Sequence, residues 1–159
     1  MPIKSFKGKI ADNGTETIPL STNDGSTGYR INKFELFPDN PGTNRQESLV
    51  KIYSVSQTGT PTSTVDFSDQ TLLAAAYYAL NDAAYYGQDK VTTFDNMVFN
   101  QDIYVTHVDV VGTRAVNYYI ELEQIKLDLN QNTVATLKDI RNIKSQWVNN
   151  IIWTKIQSC

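Results

Sequence analysis

Turn-forming residues recur so densely in this chain that they cut it into runs of strand length. Asp12-Asn13-Gly14, residues 21–28, Pro38-Asp39-Asn40-Pro41-Gly42, residues 57–64, Asn100-Gln101-Asp102 and Gly112-Thr113 all carry such signals. Each of these residue types turns the chain for its own reason: Gly tolerates positive φ, Pro presets φ, and Asn or Asp bonds back to nearby backbone. The runs between them are short, apolar and often alternating, which is the all-β pattern.

Residues 3–10 read as a first strand ended by the Asn-Gly turn. Residues 16–20 form a short second run. Residues 29–37 are stronger: Tyr29 and Ile31 share one parity, Phe34 and Leu36 the other. That change of face predicts a bulge near Asn32-Lys33. Residues 49–55 alternate again. Residues 71–80 can be read two ways, since Leu72, Ala76 and Leu80 keep helical spacing while the short apolar run suits a buried strand. The strand is the preferred reading over 71–78, followed by an exposed loop at 81–90.

Residues 91–111 supply one or two more strands. With 115–129 the last of these predicts a long antiparallel hairpin across Gly112-Thr113. Its second arm changes parity between Leu122 and Ile125, which predicts another bulge near Glu123-Gln124. About eight strands of this kind point to an antiparallel two-sheet sandwich, jelly-roll-like, in a mostly β fold.

The tail behaves differently. Asn132 can cap a short C-terminal helix near 133–142, with Val134, Leu137 and Ile140 on its inward stripe. Ile143, Trp147, Ile151, Ile152, Trp153 and Ile156 then make an apolar C-terminal arm over 143–159. The arm either packs back on its own domain or docks on a neighbouring subunit. Residues 1–142 form the sandwich domain, because 159 residues suit one core.

Composition narrows the function classes. Charged residues are 19% of the chain, below the ~25% of ordinary soluble domains. Uncharged polar surface suits broad protein contact, since burying it costs less than burying charge. The net charge is −3 without a basic stripe, so nucleic acid is not an expected partner. Lys4, Lys7 and Lys9 read instead as the solvent side of an edge strand, where lysine discourages wrong pairing. No apolar run reaches membrane-spanning length and no signal core opens the chain, so no membrane partner and intracellular synthesis are expected. The single Cys159 permits no internal disulfide.

Catalytic signals are sparse. His107 is the one histidine, and no Gly-x-Ser-x-Gly elbow accompanies it, so a structural histidine on a strand is expected. Glu121 and Glu123 share a strand face and could pair as acid and base. Solvent-facing glutamates near Lys126 explain that spacing more simply. No metal, cofactor or phosphate motif is evident, and the chain is expected not to be an enzyme. Of the tyrosine pairs, Tyr77-Tyr78 and Tyr118-Tyr119 should each put one ring inside and one outside. Tyr85 and Tyr86 lie in the expected loop and are the best candidate interface anchors, together with the arm residues.

Four stretches carry a family resemblance. They are residues 1–6 (Met-Pro-Ile-Lys-Ser-Phe); residues 26–31 running on to Phe37-Pro38; Phe94-Asp95-Asn96 with residues 99–107; and residues 117–123 followed by 133–142. Together they resemble small proteins encoded by marine tailed bacteriophages, including cyanophages and pelagiphages. The resemblance implies a virion structural protein, assembled in the host cytoplasm and present in many copies or as a homo-oligomer. A capsid decoration or cement protein on the major capsid protein shell is the expected role. A neck or tail position, or a carbohydrate-binding module gripping host glycans, are the alternatives. Residues 143–159 extend past the family's usual ending.

Overall fold

The structure, a computed structural model, describes residues 2–41, 45–80, 88–128 and 130. Among them eight strands form two antiparallel sheets. The smaller has the order β1 (Ile3–Ile10), β8 (Val116–Lys126), β3 (Thr27–Pro38). The larger has the order β2 (Thr15–Ile18), β7 (Ile103–Asp109), β4 (Gln46–Tyr53), β5 (Leu72–Leu80), β6 (Gln88–Phe94). Residues 71–80 are therefore strand, as their preferred reading had it. The expected loop at 81–90 is too long, because Gln88 already opens β6. The expected helix near 133–142 and the arm at 143–159 lie outside the described residues.

The pairings β1–β8, β2–β7 and β4–β5 are nested, as if one long antiparallel ribbon had been wound up. That is the logic of a jelly roll. One pair departs from it. Nesting would set β6 against β3, but β6 instead pairs with β5 from Ala74↔Phe94 to Leu80↔Gln88. Outside its pairing with β8, β3 then keeps, among the described residues, only the bridge Tyr29↔Phe99.

Each sheet turns one face inward. Ile10, Val116, Ile120, Leu122, Phe34 and Leu36 come from the smaller sheet; Ile103, Val105, Val50, Ile52, Ala74 and Ala76 come from the larger. The bulge in β3 falls between Ile31 and Lys33 and lets Tyr29, Ile31, Phe34 and Leu36 all face the core. The parity reading of the sequence located it. Gly8 is opposite Tyr118 in the register, and a Cβ on Gly8 would come within 2.9 Å of the tyrosine hydroxyl and 3.1 Å of its ring. The Tyr118 hydroxyl donates to Glu16 of the other sheet at 2.6 Å, tying the layers together at the β1–β2 edge.

Two sequence expectations fail for topological reasons. Gly112-Thr113 does not close a hairpin: β7 belongs to the larger sheet and β8 to the smaller, so the chain crosses between layers there. Nor does β8 bulge at Glu123-Gln124. Its register runs unbroken there against β3, its pairing with β1 ends at Glu123, Ile125 stays on the outer parity, and buried Leu127 lies beyond the strand's end. The Asn-Gly turn forms with Asn13 at φ 58°, a left-handed conformation that Asn tolerates. It too links the two sheets.

Candidate interaction surfaces

His107 is fully buried on the inner face of β7. Its Nδ1 lies 3.0 Å from the Ala11 carbonyl oxygen, and its Nε2 lies 3.0 Å from Ser48 Oγ. A carbonyl only accepts, so Nδ1 carries the proton and donates it. Nε2 then accepts from the Ser48 hydroxyl, whose oxygen accepts from Gln46 Nε2 at 2.8 Å. Burial holds the His107 pKa below its ordinary value, while the bond to Ala11 and the charges of Asp12 and Asp109 pull it back up. The ring is neutral near pH 7.

A serine hydroxyl bonded to an imidazole is the start of a nucleophile–base pair. Here both members are inaccessible, Ser48 and His107 being equally buried. Asp109 does not orient the ring. Its carboxylate accepts from the backbone of Glu47 at 3.2 Å, Arg114 at 3.0 Å and Val111 at 3.3 Å, and so holds the crossing from β7 to β8. The cluster closes one end of the core with buried polar bonds, although Gln46 Oε1 has no partner among the described residues, and no substrate can reach it in this arrangement.

Glu121 and Glu123 share the outer face of the smaller sheet, but not with Lys126 as their partner. The Tyr119 hydroxyl donates to Glu121 at 2.7 Å, and Arg30 forms an ion pair with Glu123, its Nε 3.1 Å from the carboxylate. Among the described residues no group of three His, Cys, Asp or Glu side chains is placed to hold a metal.

Two surface depressions carry exposed phenylalanine. One, of about 590 Å³, lies on the outer face of the smaller sheet. Cross-strand pairing sets Lys7, Tyr119 and Glu35 in one row and Lys9, Asn117 and Phe37 in the next. Lys90 of β6 completes the rim, and Phe37 is 64% exposed. Glu35 is matched with Lys33 at 3.8 Å, whereas Lys7, Lys9 and Lys90 form no ion pair among the described residues. The depression is aromatic and basic.

The other, of about 260 Å³, lies where β5 begins and β6 ends. Phe67 and Phe94 flank it, 71% and 41% exposed, with Asp69 and Asp95 beside them. Asp69 accepts from Thr71 N at 2.8 Å and Thr71 Oγ1 at 2.7 Å, which fixes the loop. Neither aspartate is in an ion pair among the described residues. This depression is aromatic and acidic.

The interface anchors expected from sequence, Tyr85, Tyr86, Ile143, Trp147, Ile151, Ile152, Trp153 and Ile156, all lie outside the described residues. Tyr77-Tyr78 and Tyr118-Tyr119 do split, with Tyr78 and Tyr118 buried and their neighbours partly exposed. The sequence reading missed Phe37, Phe67 and Phe94 as surface aromatics. Phe37 was legible, since the parity that sends Phe34 and Leu36 inward sends it out. Phe67 also had a signal, as an aromatic between Asp66 and Ser68 in a turn-rich stretch. No protein-family model matches the chain, and a search of curated proteins finds no match.

Proposed function

We propose that this chain is a non-enzymatic structural protein of a tailed-phage virion, a decoration or cement subunit on the major capsid protein shell. The observation that carries the reading is where the reactive and the sticky groups lie. The Ser48–His107 pair is sealed in the core, while three large phenylalanines stand exposed in charged depressions on both sheets. Exposed aromatics ringed by charge are features of protein contact, where burial of the ring supplies affinity and the rim supplies selectivity. The resemblance of its sequence to phage proteins supports the choice of assembly.

Labelled antibody against this chain, imaged on purified particles, tests the proposal. Label spread over the shell in many copies supports decoration, and label confined to a six- or twelvefold ring moves the protein to the neck or tail. Particles free of the protein overturn the virion reading.

A further inference from the structure

The two depressions are opposites in charge and alike in carrying exposed phenylalanine. Lys7, Lys9 and Lys90 surround Phe37, and Asp69 and Asp95 flank Phe67 and Phe94. Each supplies what the other lacks. We propose that copies of this chain associate head to tail, the Phe67–Phe94 face of one seating on the Phe37–lysine face of the next.

The charges decide the symmetry. A two-fold dimer through either face would bring like against like, aspartate on aspartate or lysine on lysine, and like charges in contact oppose binding. Joining the unlike faces sets the three lysines against the two aspartates and covers Phe37, Phe67 and Phe94. Such a contact is heterologous: each added copy still offers one free face of each kind, so the assembly either closes as a ring or grows as a filament. Long-range attraction between the faces also steers encounter, so the association should weaken as salt screens it. The inference concerns copies of this chain alone and stands apart from the virion reading.

Sedimentation velocity on the full chain tests it. The expected mass rises with concentration at low salt and falls toward the monomer in about 1 M sodium chloride, where the Debye length is about 3 Å. Phe67→Ser removes the most exposed ring of the acidic face and should weaken association at least tenfold. Lys7→Glu with Lys9→Glu does the same for the basic face, and Lys90→Glu replaces that pair if it does not fold. Mixing the two kinds of variant is the decisive arm. Each retains one working face, so the mixture should form a 1:1 heterodimer and stop there. A chain that stays monomeric at every concentration overturns the proposal. So does association that survives Phe67→Ser, or a variant mixture that never pairs.

Discussion

In the smaller sheet β8 alternates strictly: Val116, Tyr118, Ile120 and Leu122 are buried while Asn117, Tyr119, Glu121 and Glu123 are partly exposed. In the larger sheet β4 and β5 are buried on both faces for most of their length, including Leu49, Lys51, Tyr53, Ala75 and Ala79. Both sheets present one face to the same core, so the difference lies in what happens outside. At the end of β4 the following loop turns back over the strand. Lys51 is only 3% exposed, and its Nζ donates to the Thr64 carbonyl at 2.8 Å while lying 5.7 Å from the Tyr53 ring centre. The inner faces differ as well. The smaller sheet contributes a largely apolar inner face, whereas the larger ends in the Gln46–Ser48–His107 cluster. A sheet face is thus a solvent face only if no other part of the chain covers it.

The inner-face difference breaks hardest at His107. His107→Ala should cost about 2–4 kcal/mol in urea unfolding, because it strands Ser48 and the Ala11 carbonyl and leaves a hole. The pH dependence gives a second readout. The folded-state pKa is depressed below 6.5, so above that pH the ring is neutral in both states and carries no penalty. As pH falls through 6.5 the unfolded chain takes up the proton first, and stability should decline. His107→Asn should flatten that decline between about pH 5 and 7. A wild-type chain equally stable across this window would mean that the ring is not buried neutral.

The outer-face difference is sharpened by two lysines. Lys51→Ala should cost about 1–2 kcal/mol and speed proteolysis in residues 55–71, since the charged hydrogen bond to Thr64 is lost along with its covered stem. Lys33→Ala on the smaller sheet, 3.8 Å from Glu35 and 46% exposed, should change stability by less than about 0.5 kcal/mol. Equal effects at the two sites would erase the distinction. Gly8→Ala should fall between them, at about 1 kcal/mol, by pressing a methyl group against the Tyr118 ring.

How legible the molecule was follows the range of each interaction. The first strand, the β3 bulge, the split tyrosine pairs and the mostly β class rest on side-chain alternation and turn chemistry, which act over a few neighbouring residues. The false hairpin at Gly112-Thr113 rests on the same local signal, because a tight turn looks alike whether its strands pair or part into separate sheets. Ser48 and His107 meet through the β4–β7 pairing, which joins residues 59 apart. No spacing in the sequence announced them.

By itself, then, the sequence determined that the chain is mostly β, that β3 bends near Asn32-Lys33 and which residues of its clearest runs alternate, since backbone sterics and burial period operate within each run. Only the tertiary structure decided that β6 joins β5 and not β3, that Lys51 is buried, and that two phenylalanine-lined depressions carry opposite charge. Those outcomes depend on which distant segments exclude water together, and burial is a property of the assembled layers.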